Sequence, residues 1–246
     1  VAPALAQVAE QLGVVVVENC AVRDLETSAG QLSHVITEYG AIRSSAAVIA
    51  GGAWSRRLLQ NHGVTIPTLL VYGSLYQTGP VESALQGCGA TGSFGWARRE
   101  DGRCVFGNKS VISTLTPDSF RFLRAFSSAL WAGHESVEID VDGDFWQALK
   151  VALSGAEARR LMFEQNRILD AAPDQRTGRK VLAALRREFS DFAAATFEAV
   201  WAGVIDVTPD QAPLLGTTDL PGVYLCTGFS AHGLAMAPAA AEITAD

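Results

Sequence analysis

Between Gly222 and Pro238 the chain reads GVYLCTGFSAHGLAMAP, the stretch that most narrows what it can fold into. Val223 to Cys226 is a short apolar run rich in β-formers. Gly228 to Gly233 is a loop with small residues at both ends, and Leu234 onward is an alanine-rich helical pattern. A strand that passes through a tight glycine turn into a helix belongs to a layered α/β arrangement. The helix that opens there presents backbone N–H groups without intrahelical partners and the positive end of its dipole. An anionic or electron-rich group of a ligand can therefore sit against it.

The rest of the composition fits small-molecule chemistry. A net charge of −7 without a basic cluster argues against nucleic acid or an anionic membrane as the main partner, because both need a concentrated Lys/Arg face. With 246 residues, 48% of them hydrophobic, the chain can bury one large core or two modest ones. It holds no uninterrupted apolar run of about 18 residues, so no transmembrane helix is expected, and no secretory signal opens it. It starts at Val1 and stops at Asp246 inside a helical pattern, which reads as a fragment of a longer protein. Cys20, Cys88, Cys104 and Cys226 show neither a CxxC pair nor metal-ligand spacing, and the histidines are scattered, so no metal site is expected. Reduced structural thiols imply a cytoplasmic protein, with peripheral attachment at the inner membrane as a second location.

In chain order, Leu5, Val8, Ala9 and Leu12 fall at helical spacing, with Gly13 as the stop. Gly13 to Val17 then reads as a buried strand. Three β segments follow, Ala21 to Glu26, Leu32 to Tyr39 and Ala41 to Ser44, and then an apolar strand, Ala47 to Ala50, which ends on Gly51 and Gly52. Two glycines after a buried strand let a ligand approach the backbone closely. From Val64 the pattern changes. Pro67 to Gln77 alternates as a strand, and Trp96 to Glu100 and Arg103 to Phe106 flank Asp101-Gly102, a strong hairpin signal. Thr116-Pro117-Asp118 begins a helix, capped by Asp118, with an apolar face of Phe120, Leu123 and Phe126 or Ser127. Val181, Leu182, Leu185 and Phe189 form a second amphipathic stripe.

The segments VIAGGAWS (48–55), WAGVIDVTPDQAPLLG (201–216) and GFSAHG (228–233) together resemble the FAD-dependent superfamily of D-amino-acid oxidase and dehydrogenase, glycine oxidase and sarcosine oxidase. The resemblance covers nearly the whole chain and implies an α/β fold with α+β character. It consists of a partial Rossmann-like FAD-binding domain and an inserted antiparallel-sheet substrate domain. The implied boundaries are 1–63 for part of the FAD-binding domain, 64–198 for the substrate domain, and 199–246 for the return to the FAD-binding domain. The resemblance also implies that Val22 contacts adenine through its backbone and that Ala50, Gly51, Gly52 and Trp54 line the nucleotide. Gly203, Gly228, Phe229, Ser230, Ala231, His232, Gly233 and Leu234 would border the flavin. In such proteins GFSGHG or a close variant precedes a helix that points at the isoalloxazine ring.

Gly87 to Gly92 matches GxGxxG letter for letter, but the match is rejected. The motif works between a buried strand and a helix. Here Val81 to Gln86 is no strand, Ser93 to Arg99 reads as β, and no acidic residue follows at the required distance. A flexible glycine-rich loop is expected instead. In the resembling family the true motif lies ahead of anything present in this chain.

Where many relatives read WAGLRP, with an arginine for the substrate carboxylate, this chain has Ile205 and Asp206. Isoleucine offers no clamp, and an aspartate facing a carboxylate would repel it. Either another arginine serves, with Arg98 and Arg99 as the available replacements, or the substrate binds differently. Tyr72 and Tyr76 could line an amine or side-chain pocket, or simply pack in the sheet. Their solvated or packed alternatives remain open at this point. The segment carries no cysteine for a covalent flavin link, so FAD is expected noncovalently bound. His232 is the catalytic candidate, able to donate near the ring and favour its anionic reduced state. A hydrolase reading of Ser230 fails because GFSAH breaks the GxSxG elbow at its last glycine.

The resemblance thus implies an FAD-dependent oxidoreductase that oxidises the C–N bond of an amino acid or secondary amine by hydride transfer to flavin. The alternative is a degenerate, non-catalytic subunit or scaffold that pairs with a nucleotide-binding chain. Association with a partner subunit or a second copy would suit either. Electron acceptor and substrate handedness are left open by the residues.

Overall fold

The computed structural model describes residues 1–83, 85–108, 111–132, 137–140, 163–165 and 167–246. Alanine, leucine and glutamine are good helix formers, and with Pro3 in the first turn they set α1 (Ala2–Gln11). Gly13, at φ 92°, follows directly. Leu5, Val8 and Leu12 are exposed. The run Val14 to Val17, expected as a buried strand, forms no strand and is exposed too. A buried strand needs hydrogen-bonded neighbours, and none of the described strands pairs with this run.

The meander appears where the alternation placed it, as β1 (Val22–Ser28), β2 (Gln31–Thr37) and β3 (Gly40–Arg43), all antiparallel. Ala29 and Gly30 make its first turn at φ 51° and 78°, the double positive φ of a tight hairpin. Next comes β4 (Ala47–Ile49), which lies parallel to β13 (Val223–Thr227). On the other edge of β13, β12 (Leu214–Thr217) pairs antiparallel. Both parallel strands run into a glycine turn and then a helix: α2 (Ser55–Gln60) after β4, and α6 (Gly233–Ala245) after β13. Leu25, Leu32, Ile49, Leu58, Leu59, Val64, Ile66, Val223 and Leu225 form the core that binds meander, small sheet and α2 together.

The larger sheet is built on the ten-residue β5 (Leu69–Thr78). Its described strands are β6 (Cys88–Ala90), β7 (Phe94–Arg98), β8 (Cys104–Asn108), β9 (Val111–Thr114), β10 (Val137–Asp140) and β11 (Phe197–Val207). Pairing runs β10-β9-β5-β8-β7-β6, with β11 along the other edge of β5 from Phe197↔Thr78 to Val207↔Leu69. The boundary expected at residue 199 therefore falls inside β11, which belongs to this sheet. The helix α5 (Gln175–Glu188) covers one face. Asp174 caps it, its carboxylate accepting from Arg176 N and Thr177 N at 2.9 and 3.0 Å. Val181, Ala184 and Leu185 pack with Tyr76, Phe94, Phe106 and Phe192 in a second core.

Two local expectations are corrected. The Gly87–Gly92 stretch is not a loop, since Cys88 to Ala90 is the edge strand β6 paired with β7. Gly89 is needed there because the Trp96 indole lies across it, closer than a Cβ could tolerate. The helix at 116 is capped by Thr116 rather than Asp118. The Ser119 hydroxyl accepts from Thr116 N at 3.1 Å in a capping box. Asp118 instead binds Arg56, with Nη1 to Oδ1 at 2.9 Å and a second Nη2–Oδ2 contact. The segment also breaks at Phe122, into α3 (Pro117–Arg121) and α4 (Leu123–Ala132). The break turns the apolar face, so Phe122 and Phe126 are buried while Phe120 and Leu123 are exposed.

Candidate functional site

The parallel pairing of β4 and β13 puts their two glycine turns side by side at the carboxyl ends of the strands, where open α/β sheets bind ligands. The second turn is tightly held. Gly228 lies at φ 74°, and a Cβ there would come within 2.7 Å of Thr208 Cγ2. Ser230 and Ala231 also have positive φ, 49° and 70°. Three attachments fix this shape. Gly228 N donates to Asp206 Oδ2 at 2.8 Å, Ser230 N donates to Asp206 O at 3.2 Å, and Thr208 N donates to Ser230 Oγ at 3.1 Å. Thr227 Oγ1 lies 3.1 Å from Asp206 Oδ2 and 3.0 Å from Ser55 Oγ. One hydroxyl proton serves one acceptor at a time, so Thr227 donates to the Asp206 carboxylate, with Ser55 Oγ and Gly52 O as its alternative acceptors. Ser55 begins α2, and the two turns are thereby tied to one another.

Asp206 departs from expectation. Rather than facing a substrate carboxylate, its side chain is turned to the loop's own donors. Thr208, Thr227 and Ser55 complete the knot, and sequence reasoning missed all three. The TPD and CTG strings held the signal, since hydroxyls beside a tight turn tend to bond its backbone.

Beyond the loop, His232 precedes α6 as its N-cap residue, with its ring exposed and its N–H given to Phe229 O at 2.8 Å. Gly233 and Leu234 follow as the first helical residues, whose N–H groups point out of the helix end. Leu234 is exposed and Phe229 half-buried. On the first turn, Gly52 sits at φ 52°, and a Cβ there would meet Asp206 Oδ1 alone within contact distance, at 3.9 Å. Gly203 is exposed with open space above it.

Next to the first turn lies a cavity of about 760 Å³. Val22, Ala50, Gly51 and Trp54 line it, over an apolar floor of Leu25 and Val35. That size and character suit a small aromatic ligand with few polar contacts. Phe163, Arg167 and Ile168 form an unforeseen part of the wall. Phe163 meets Trp54 edge to face at 5.7 Å, Glu164 pairs with Arg23, and Arg167 reaches Glu38 at 2.7 and 2.5 Å and Asn19 O at 3.1 Å. The Arg167 guanidinium, helped by the Ala21 N–H, holds the Glu38 carboxyl at about 2. Nothing in local spacing announces contacts between residues more than a hundred positions apart.

Several predicted substrate residues lie elsewhere. Arg98 donates to Val81 O at 3.0 Å, and Arg99 is exposed beyond it on the same hairpin. Their end of β8 adjoins Thr78, and from there to Leu70, the partner of Asp206, β5 runs roughly 26 Å at its usual rise. Tyr76 is buried in the second core, its hydroxyl donating to Asp174 O at 2.6 Å and its ring stacked on Phe197. Tyr72 shares that face of β5, opposite Val204 and Ile112. On the opposite face, Ile205 packs over Gly73, where a Cβ would lie 3.4 Å from its Cδ1.

Comparison with known proteins follows the same lines. The family model described as FAD dependent oxidoreductase (DAO) matches residues 1–246. A D-amino acid dehydrogenase of Rhizobium rhizogenes is 25% identical over 244 residues, covering 99% of this chain and 46% of that protein. The chain thus spans about half the length of such relatives. Among solved structures, the L-amino acid deaminase from Proteus myxofaciens in complex with anthranilate superposes with a TM-score of 0.91 and 33% identity, over 99% of this chain and 55% of that one. Glycine oxidase from Geobacillus kaustophilus shares the fold at 19% identity, with a TM-score of 0.66 over 100% of this chain and 52% of its own.

Proposed function

The chain belongs to the DAO family of FAD-dependent oxidoreductases, and from that premise we propose that it forms part of a flavoenzyme oxidising the C–N bond of an amino acid or secondary amine. The convergence of two glycine turns at the ends of parallel β4 and β13 carries this reading. Bound FAD would supply the hydride acceptor. The protein's share is binding, orientation and charge stabilisation. The cavity beside Val22, Ala50, Gly51 and Trp54 would take the adenine end, its apolar floor suiting a planar ring. Gly52 would admit the nucleotide backbone closely, having no Cβ in the way. The N–H groups at the start of α6, from Gly233 and Leu234, would face negative charge that develops on the ring system during reduction. His232, exposed at the same helix end, would add a donor there.

On the substrate side, Ile205 and Gly73 make an apolar surface, and Arg98 and Arg99 stand too far along β5 to clamp a carboxylate beside the loop. Amino acids of both hands enter the test, since the relatives named above include a D-amino acid dehydrogenase and an L-amino acid deaminase. None of those relatives is named as a non-catalytic scaffold. No described helix is long and apolar enough to cross a membrane. The free cysteines suit a reducing compartment, so we place the enzyme in the cytoplasm or against the inner face of the membrane, which fractionation would check.

The test is a visible absorption spectrum of the purified full-length parent protein loaded with FAD, followed by anaerobic addition of D- and L-amino acids, since residues 1–246 alone are expected to be inactive. Bleaching of the flavin band by one hand of substrate supports the proposal and assigns the stereochemistry. A protein that takes up no FAD refutes it.

A further inference from the structure

Two non-glycine residues in the left-handed region of one short loop, Ser230 and Ala231, persist only where their surroundings over-determine them. Asp206 supplies much of that constraint. Its Oδ2 takes the Gly228 N–H and the Thr227 hydroxyl, and its main-chain oxygen takes the Ser230 N–H. Oδ1 faces the other way, toward Gly52. Asp206 also lies on β11, a strand of the larger sheet, whereas both turns belong to the small one. A single carboxylate therefore fastens the second turn to the neighbouring sheet, and through the Thr227 hydroxyl it is linked to the first.

We propose that Asp206 is a positioning residue for the flavin: it fixes the 228–233 loop against the Gly52 turn, and its fixed negative charge beside that loop lowers the reduction potential of the bound cofactor. The proposal rests on the FAD-binding reading above. The two roles separate chemically. Asparagine keeps an acceptor for the Gly228 N–H and leaves the Thr227 hydroxyl free to turn to Gly52 O, 3.4 Å away, but carries no charge. Alanine leaves the Gly228 N–H without its acceptor and removes the anchor from the Thr227 hydroxyl, which has only Gly52 O and Ser55 Oγ to turn to. An anion near a site where negative charge accumulates on reduction disfavours that reduction, so neutralising it makes the cofactor easier to reduce.

The experiment compares wild type, D206N and D206A by FAD titration, flavin absorption band shape and spectroelectrochemical midpoint potential, with circular dichroism to confirm folding. D206A is expected to bind FAD about tenfold more weakly or worse, the loss that follows when a charged acceptor is withdrawn from two donors. D206N is expected to recover most of that affinity while its midpoint potential moves upward. Should D206A fail to fold, T227V probes the same knot and is expected to weaken FAD binding with an unchanged potential, since the charge remains. Equal FAD affinity in wild type and D206A, or an unshifted potential in D206N, overturns the proposal. Wild type that takes up no FAD overturns the reading beneath it as well, so the two failures are told apart.

Discussion

Substituting Gly228 by alanine puts one methyl group where the structure has least room for it. Two costs act. The residue sits at φ 74°, and an L-residue held in the left-handed region loses about 1–2 kcal/mol. The new Cβ would also lie 2.7 Å from Thr208 Cγ2 and 3.4 Å from Leu214 Cγ. Thr208 is 1% exposed and bonded through its hydroxyl to Ala212 O at 2.8 Å, so it cannot simply swing aside, and overpacking of this kind costs about 1–3 kcal/mol. Together G228A should lose about 2–5 kcal/mol, and at about 2–4 °C per kcal/mol for a chain of this size Tm should fall by about 4–20 °C. Scanning calorimetry with and without FAD reads the effect. A231G in the same loop is the control. It removes the left-handed strain at φ 70° but adds chain entropy to the unfolded state, so its Tm should stay level or rise slightly. If G228A melts within a degree of wild type, the argument that this turn demands glycine is wrong.

R167A should open the wall lined by Phe163, Arg167 and Ile168 and speed FAD release, followed as recovery of free-flavin fluorescence, with a small change in Tm because the Arg167 side chain itself is 42% exposed. The pH dependence has a definite sign. With the Glu38 carboxyl lowered from 4.5 to about 2, its contribution is complete above the unfolded value and is lost as pH falls from there through the folded one. FAD retention should thus show no Glu38-dependent change between pH 5 and 8, and E38Q should resemble R167A there; a loss centred near neutrality would contradict this. L185A, at a fully buried position of α5, should cost about 2–5 kcal/mol in a denaturant titration, whereas F120A on the exposed side of α3 should be nearly neutral. G89V should detach β6 from β7 because Trp96 occupies the space, and hydrogen exchange at Cys88 to Ala90 should accelerate while the core strand β5 stays protected.

Elements with local signals were legible in the sequence. The Asp101-Gly102 hairpin, the meander and the glycine turn of GFSAHG each depend on residues within a few positions of one another, and the family followed from three such strings. Failures occurred where a partner distant in sequence decides. Val14 to Val17 has the composition of a buried strand, but burial requires neighbours that the described strands do not supply. Asp206 read as a charge facing a substrate because its acceptor role depends on amides of residues 228 and 230, brought round by β12 and β13. Arg98 and Arg99 carry the right chemistry for a clamp, and the length of β5 takes them out of reach. The pairings of Glu164 and Arg167 had no sequence signal, since single charges far apart pair in too many ways to predict.

The parallel pairing of β4 with β13 also bears on how the chain comes off the ribosome. Thr227 meets Gly52 across a sequence separation of 175 residues, and the small sheet cannot close until residues 223–227 have emerged. The meander and the β7–β8 hairpin close on near neighbours and can form early, while loop-closure entropy delays the long-range pair. During synthesis β4 waits as an open edge, the state in which strands find wrong partners. The two ligand-facing turns are therefore joined later than the meander and the hairpin, and a ligand present at that moment would draw folding forward by mass action.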